Sequence, residues 1–209
     1  MTILILVRHG RSTANADGIL AGRMPDVHLD EVGKEQAKSL EAVLEGVTRA
    51  YTSPVLRCRQ TAAHAGFPDA EVVDGLSECD YGDWTGRKLA ELAEEGIWAT
   101  VQKQPSAVEF PGGETMLHMR NRVVAAIEGI VSGGEAAVVF SHGDPLKAIL
   151  AHALGLDFDE FQRIDVAPGS VSVVDWSGFK PIVRLMGGGL DARRAFVSTH
   201  GPVVGGGVA

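Results

Sequence analysis

Two apolar segments of the chain share a pattern, because each is a short strand-like run that ends in a polar turn containing a histidine. The first, Ile3 to Val7, is followed by Arg8-His9-Gly10, and the second, Ala136 to Phe140, is followed by Ser141-His142-Gly143. Continuous apolar runs of this length are typical of strands buried on both faces of a parallel sheet. The sequence therefore predicts two buried strands, each with a histidine at its carboxyl end.

Amphipathic periodicity predicts helices around these strands. An apolar face recurs at helical spacing between charged residues over 30–44 and over 114–131. Ser53 followed by Pro54 predicts a helix start, with Ser53 as the capping residue. Helices are also predicted over 54–64, 87–95 and 145–154, and further strands over 50–52, 71–73, 171–176 and 182–186. Strands that alternate with helices indicate an α/β fold whose sheet is mostly parallel.

The chain length favours one domain followed by a tail. With 209 residues and 45% hydrophobic composition, the chain can build one well-packed core and is short for two. We expect residues 1–186 to form a single domain. Residues 187–209 contain two Gly-Gly-Gly runs and few large apolar side chains, which predicts a flexible C-terminal tail.

Composition and charge exclude several classes of protein. The formal net charge of −8 argues against binding to nucleic acid or to an anionic membrane surface. No run of about 18 apolar residues predicts a membrane span, and no cleavage-type sequence predicts export. Cys58 and Cys79 are too few for a disulfide framework and lack metal-binding spacing. We expect a soluble cytoplasmic protein, and assembly as a homodimer is left open.

The histidine turns are candidates for phosphoryl chemistry. Ligands of open α/β sheets bind outside the carboxyl ends of the strands, where both turns should lie. A guanidinium such as that of Arg8 can hold two oxygens of a phosphoryl group while the neutral imidazole of His9 attacks the phosphorus. Arg57, early in the helix after Ser53-Pro54, could point toward the same region, although a surface charge is the better interpretation of Arg57 taken by itself.

Six motifs in order resemble the histidine phosphatase superfamily, which includes phosphatases and phosphoglycerate mutases. They cover most of the chain, and each lies in the structural context that the family implies. The motifs are Leu6-Val7-Arg8-His9-Gly10-x-Ser12-x-x-Asn15, Gly22-Arg23-x-x-Asp26-x-x-Leu29, Ser53-Pro54-x-x-Arg57, Leu76-x-Glu78-x-x-x-Gly82-x-Trp84-x-Gly86, Pro111-x-Gly113-Glu114-Thr115 and Ser141-His142-Gly143. The resemblance implies a phosphoglycerate mutase-like fold, a three-layer α/β/α sandwich.

The resemblance also implies roles for particular residues. His9 would be phosphorylated during turnover, while Arg8, Arg57 and His142 would bind the phosphoryl oxygens. Glu78 matches the family's proton donor, which the chemistry requires because an alkoxide leaves poorly without a proton. Asp80 and Asp83 are rivals to Glu78 by residue type, but only Glu78 has the family's spacing. Neither a metal nor a cofactor is expected, because nearby arginines would oppose a cation bound by His9, Glu78 and His142.

The candidate substrate-binding residues are Ser12, Asn15, Arg23 and Gly143. For Ser12 and Asn15, hydrogen bonds within their own loop are an equally good interpretation. Selectivity for the alcohol part of the substrate is expected from 19–28 and 87–113. These stretches supply Arg23, His28, Trp98 and Phe110 as candidate contacts, and each also has an ordinary structural interpretation.

We predict a phosphomonoesterase that hydrolyses a small phosphorylated metabolite through phosphohistidine at His9. The extra basic segment of longer family mutases is absent from this sequence, which favours hydrolysis over intramolecular transfer. A phosphomutase that uses the same phosphohistidine is the alternative. A phospholigand-binding protein without catalysis is a third hypothesis, which the complete set of candidate catalytic residues disfavours.

Overall fold

The computed structural model describes residues 2–189 and residue 192, and its centre is a six-stranded mixed sheet. The strands are β1 (Ile3–Arg8), β2 (Arg49–Thr52), β3 (Glu71–Val72), β4 (Ala137–Ser141), β5 (Val171–Asp175) and β6 (Ile182–Gly188). Their order across the sheet is β3-β2-β4-β1-β5-β6. The first four strands in that order run parallel, whereas β5 pairs antiparallel with both β1 and β6. The predicted α/β fold with a mostly parallel sheet is thus confirmed.

Helices cover both faces of the sheet. They are α1 (Thr13–Ala16), α2 (Glu31–Val43), α3 (Leu56–His64), α4 (Leu89–Leu92), α5 (Trp98–Lys103), α6 (Met116–Val131) and α7 (Gly143–Leu154). Alternate residues of β1 enter two separate clusters: Leu4 and Leu6 pack with side chains of α6 and α7, and Ile5 packs with side chains of α2 and α3. A strand that is buried on both faces needs an apolar residue at every position, which explains its unbroken apolar run. The result is a three-layer sandwich.

Several predicted element boundaries were wrong. The third helix begins at Leu56 with Val55 at its N-cap, so Ser53 does not cap it. Instead, the Ser53 hydroxyl accepts a hydrogen bond from Val55 N at 3.2 Å. The helix predicted over 87–95 is reduced to the single turn of α4, and the irregular stretch 98–113 begins with α5. Strand β6 extends to Gly188, past the predicted start of the tail, and 190–191 and 193–209 lie outside the described residues.

No helix in residues 2–189 and 192 is both long enough and apolar enough to cross a membrane.

Two glycines let the end of β1 approach the first turn of α2. A Cβ at Gly10 would overlap the carbonyl oxygen of Gly33, and a Cβ at Gly33 would overlap the carbonyl oxygen of Arg11. The contact is held by hydrogen bonds from Gly10 N to Thr61 Oγ1 at 3.0 Å and from Arg11 N to Gln36 Oε1 at 2.8 Å. The segment that carries His9 is therefore fixed against α2 and α3 by close backbone packing.

We expect Gly33→Ala to destabilise the protein by about 2 kcal/mol, because the added methyl group collides with main-chain atoms that have little freedom to move. Urea denaturation measures the change. Gly129→Ala is the matched control, since Gly129 lies on the exposed side of α6 with open space around it, and it should stabilise by about 0.5–1 kcal/mol. A Gly33→Ala protein as stable as the wild type would contradict the packing described here.

Candidate active site

The parallel pairing of β1 with β4 brings the two histidine turns together. Arg8 is the register partner of Ser141, so the next residues along each strand, His9 and His142, lie side by side. Their ring centroids are 5.2 Å apart, and the rings meet edge to face at 66°. Both side chains are buried, with relative exposures of 2% and 0%. The expectation that the two turns meet at one edge of the sheet is confirmed.

Arg57 lies between the two imidazoles. From the first turn of α3, its Nε donates to His9 Nε2 at 3.0 Å and its Nη2 donates to His142 Nδ1 at 3.0 Å. The same Nη2 donates to the carbonyl oxygen of Gly22 at 2.8 Å. Thr61, one turn later on α3, donates to the Arg57 carbonyl at 2.7 Å and accepts from Gly10 N. The guanidinium is therefore a buried core group rather than a surface charge.

The hydrogen bonds of His9 define its tautomer. Nδ1 lies 2.8 Å from the carbonyl oxygen of Gly10, which accepts only, so Nδ1 carries the hydrogen. Nε2 then presents its lone pair, which accepts from Arg57. Burial, followed by the charges of Arg57 and Arg8, holds the pKa of His9 well below its usual value. His9 is thus a neutral imidazole with a lone pair on Nε2, the form that a nucleophile requires.

His142 has the opposite tautomer. Because arginine only donates, His142 Nδ1 accepts from Arg57, and Nε2 carries the hydrogen toward Ser53 Oγ at 2.8 Å. Burial, then the charge of Arg57, keeps the pKa of His142 well below its usual value. Ser53 belongs to one of the sequence motifs, but we interpreted it as a helix cap and did not predict its contact with His142.

Two buried guanidinium nitrogens of the site have no hydrogen-bond partner among the described residues. Within the described part of the chain, Arg8 Nε and Arg57 Nη1 are buried without a hydrogen bond, although Arg8 Nη1 donates to the Val166 carbonyl at 2.7 Å. Leaving charged donors unpaired in the interior costs several kcal/mol. An anion that accepts from both would remove that cost. Gly143 borders the Arg8 guanidinium, because a Cβ there would lie 3.4 Å from Arg8 Cζ.

Glu78 is a buried carboxyl group in the same site. Its Oε1 accepts from Cys79 N at 3.0 Å. Burial, and then the neighbouring Asp144 carboxylate, raise the pKa of Glu78 to about 7, while Arg57 and Arg8 act in the opposite direction. Near neutral pH the group is therefore present in both protonation states, which suits a residue that gives and takes protons.

Two arginines hold the main chain around Glu78. Arg122 donates to the carbonyl of Glu78 at 2.8 Å and to that of Ser77 at 2.7 Å, and it pairs with Glu114 at 2.7 Å. Arg23 donates through Nε to the same Glu78 carbonyl at 2.9 Å and also pairs with Glu114. These contacts give Arg23 a role in positioning the loop, and its side chain does not line the cavity next to His9.

The cavity next to His9 has a volume of about 270 Å³. Predicted site residues that line it are His9, Arg8, Arg57, Glu78, Asn15 and Gly143, together with Trp98 and Phe110. His142 lies under Arg57, outside the lining. Ser12 is also outside, because it caps α1 and forms a reciprocal pair of hydrogen bonds with Asn15. For Ser12 the alternative interpretation, hydrogen bonds within its own loop, therefore holds. Asn15 forms these loop hydrogen bonds and also lines the cavity.

The remaining candidates lie elsewhere. His28 is exposed and contacts the Gln60 amide at 2.9 Å. Asp80 accepts from Gly82 N at 3.1 Å and lies 3.7 Å from Arg23, and Asp83 is exposed near Gly112. Neither aspartate lines the cavity, so of the three acidic candidates only Glu78 is placed beside His9.

Several residues of the cavity were missed from the sequence. These are Tyr81, Asp144, Lys147, Gln162 and Asp165. Asp144 and Lys147 follow the second histidine turn on α7, and their position there was a usable signal. Gln162 and Asp165 follow a segment with no recognisable pattern, and only the folded chain places them in the cavity.

Comparison with known proteins agrees with this geometry. The family model of the histidine phosphatase superfamily (branch 1) matches residues 4–188. Phosphoserine phosphatase 1 of Hydrogenobacter thermophilus is 35% identical over 184 residues, covering 83% of this chain and 86% of that protein. A 2,3-bisphosphoglycerate-dependent phosphoglycerate mutase of Cytophaga hutchinsonii is 29% identical over 191 residues, covering 85% and 89%. The solved structure of Bacillus stearothermophilus YhfR superposes with a TM-score of 0.82 at 25% identity, covering 90% and 97%.

The chain belongs to the histidine phosphatase superfamily. Its relatives include proteins named as phosphatases and proteins named as phosphomutases.

The raised pKa of Glu78 predicts a dependence of stability on pH. The folded state holds this proton more tightly than the unfolded state, so the carboxyl group costs stability increasingly as the pH rises from about 4.5 through about 7. We expect Glu78→Gln to be more stable than the wild type at pH 8 by on the order of 2 kcal/mol, and the difference to vanish near pH 4. Thermal unfolding at both pH values measures it.

Glu41→Gln is the matched control, because it removes a carboxylate from an exposed position of α2. Its effect on stability should be small at both pH values. A Glu78→Gln variant that is less stable than the wild type at pH 8 would show that the ionised carboxylate is favoured in this environment.

Proposed function

We propose that the protein is a phosphomonoesterase that hydrolyses a small phosphorylated metabolite through a phosphohistidine at His9. One observation supports this most strongly: His9, whose Nε2 presents a lone pair, lines the same cavity as Arg8 and Arg57, and Arg8 Nε and Arg57 Nη1 are buried without a hydrogen-bond partner among the described residues. A tetrahedral phosphoryl group satisfies both demands, since its phosphorus is an electrophile and its oxygens accept from the guanidinium groups.

In the first step, His9 Nε2 attacks the phosphorus, the N–P bond forms, and the bond to the ester oxygen breaks. Arg57 Nε donates to His9 Nε2 in the free protein, so a phosphoryl oxygen that takes over this hydrogen would free the lone pair. The Gly10 carbonyl keeps accepting from Nδ1–H and so stabilises the positive charge that the ring acquires. Arg8 and Arg57 are in place before charge develops on the transferring group. His142 was predicted to bind the phosphoryl oxygens, but both of its ring nitrogens are taken by Arg57 and Ser53, so its role is to hold the Arg57 guanidinium.

Glu78 supplies the proton for the departing alkoxide. Its pKa of about 7 favours this role, and the charge of a bound phosphate dianion should raise that pKa further, so substrate binding itself would load the proton. In the second step the carboxylate takes a proton from water, the water oxygen attacks phosphorus, and the N–P bond breaks. Protein and proton are then restored, and the products are an alcohol and inorganic phosphate.

A phosphomutase is the second candidate, favoured by the relatives named as phosphoglycerate mutases. It would share the first step and return the phosphoryl group to an organic hydroxyl instead of water. Product analysis separates the two functions. Steady release of inorganic phosphate supports hydrolysis, whereas an isomerised phosphoester with little free phosphate would contradict our proposal.

His9→Ala should abolish turnover on a panel of sugar phosphates, phosphoglycerates, nucleotides and phosphoamino acids, because the nucleophile is lost. Phosphate release and acid-labile, base-stable labelling of the chain are measured for the wild-type protein and for the variant, and both should be lost in the variant. His64→Ala is the control, since His64 lies at the far end of α3. Unchanged activity of His9→Ala would rule out the mechanism.

Glu78→Gln should lower kcat by about 100-fold or more for alkyl phosphates, whose leaving group needs a proton. The first transfer from p-nitrophenyl phosphate should be affected far less, because nitrophenolate leaves without protonation. Single-turnover release of nitrophenolate and steady-state release of phosphate are the two measurements. Asp80→Asn and Asp83→Asn serve as charge-matched controls, and a larger loss in either of them would reassign the acid.

A further inference from the structure

Beyond the phosphoryl site, one wall of the cavity is a continuous series of aromatic rings. Trp98 stacks on Trp84 with ring centroids 6.1 Å apart, and Trp84 meets Phe110 at 5.3 Å. Phe110 meets Tyr81 edge to face at 5.1 Å. The Tyr81 hydroxyl donates to Asp144 Oδ2 at 2.8 Å. All five side chains line the cavity, so the wall is aromatic from Trp98 to Tyr81 and ends at a carboxylate.

The charged groups of this part of the cavity are mostly acidic. Asp144 and Asp165 line it, and Lys147 is the cation beside them. Lys147 is already engaged, because its Nζ donates to Gln162 at 2.9 Å, lies 3.7 Å from Asp144 Oδ1 and sits over the Phe161 ring at 5.6 Å. Asp144 is largely buried, with a side-chain exposure of 17%, so its charge is poorly screened.

Charge balance then constrains the substrate. Arg8 and Arg57 are matched by the phosphoryl dianion itself, which leaves Lys147, paired with Asp144, and the exposed Asp165 at the rest of the cavity. A second acidic group on the substrate would enter a region whose remaining charge is negative. A cation or a hydrogen-bond donor would instead face Asp144 Oδ1, which accepts no hydrogen bond within the described residues and has Lys147 Nζ at 3.7 Å as its ion-pair partner.

We propose that the alcohol part of the substrate has a flat apolar body and carries a neutral hydrogen-bond donor or a cation, and that it lacks a second acidic group. The aromatic wall from Trp98 to Tyr81 would pack against the flat body, and Asp144 would meet the donor. Asp144 is thus a specificity-determining residue. This inference rests on the proposed function, because it concerns the group that leaves from the phosphoryl centre.

Three matched alkyl phosphates test the inference: benzyl phosphate, 4-(aminomethyl)benzyl phosphate and 4-carboxybenzyl phosphate. They share the benzyl phosphate framework and the type of leaving group, and they differ in the para position, which carries hydrogen, an ammonium group or a carboxylate. We expect kcat/KM for the ammonium compound to exceed that for the carboxylate compound at least about tenfold, with benzyl phosphate between them or equal to the better one. Equal turnover, or a preference for the carboxylate, would overturn the inference.

Asp144→Asn tests the assignment of this selectivity to one residue. The amide keeps an oxygen that can accept from Tyr81 and removes only the charge, so the ammonium-to-carboxylate ratio should fall about threefold or more. Asp69→Asn is the control, because it removes an exposed carboxylate outside this cavity and should leave the ratio unchanged. An unchanged ratio in a folded Asp144→Asn protein would overturn the role of Asp144. If that variant fails to fold, the wild-type ratio still decides the substrate class.

Failure of the proposed function would look different. Absence of phosphate release from these three compounds and from the whole phosphoester panel would contradict the phosphomonoesterase. Calorimetric binding of the three compounds to His9→Ala would still decide the present inference, since binding needs the cavity and not the nucleophile. Tighter binding of the ammonium compound supports it, and tighter binding of the carboxylate compound overturns it.

Discussion

The placement of Arg57 between two neutral imidazoles is the constraint on which the site depends. A buried guanidinium must satisfy its donors, and here two ring nitrogens and the Gly22 carbonyl do so at 2.8 to 3.0 Å. The contacts to the two rings also fix the tautomers of His9 and His142. The tautomer of His9 is set from one side by Arg57 and from the other by Gly10, and the tautomer of His142 is set by Arg57 and Ser53. Arg57 Nη1 has no partner among the described residues, which indicates that the site accepts an anion.

The charges of Arg57 and Arg8 also act on the pKa of Glu78. Glu78 is buried, which favours its protonated form, and the arginines moderate that effect. A carboxyl group in a purely apolar pocket would hold its proton too tightly to act as a base afterwards. The loop that carries it is clamped through its carbonyl oxygens by Arg122 and Arg23, so the protonation balance is set in a fixed geometry. Contacts to the main chain thus fix where Glu78 lies, whereas burial and charges around its side chain set its pKa.

Much of this could be predicted from the sequence, because its strongest signals are local. The unbroken apolar run of β1 predicted a strand buried on both faces, and the turns after β1 and β4 had to meet because their strands are parallel. Helix boundaries were less predictable: Ser53 has the chemistry of a cap, yet its hydroxyl is bound to His142, which lies far away in the sequence. The same limit applies to Asp165 and Gln162, whose place in the cavity depends on tertiary packing alone.

The topology of the sheet also bears on how the protein is made. The strand that carries His9 forms none of its pairs with β2 or β3, and its neighbours are β4 and β5. During synthesis, the first strand therefore leaves the ribosome more than a hundred residues ahead of both of its partners. Loop-closure entropy of that size delays the pairing until most of the chain is available. The two histidine turns consequently come together late in folding, once the segment that carries β4 has been synthesised.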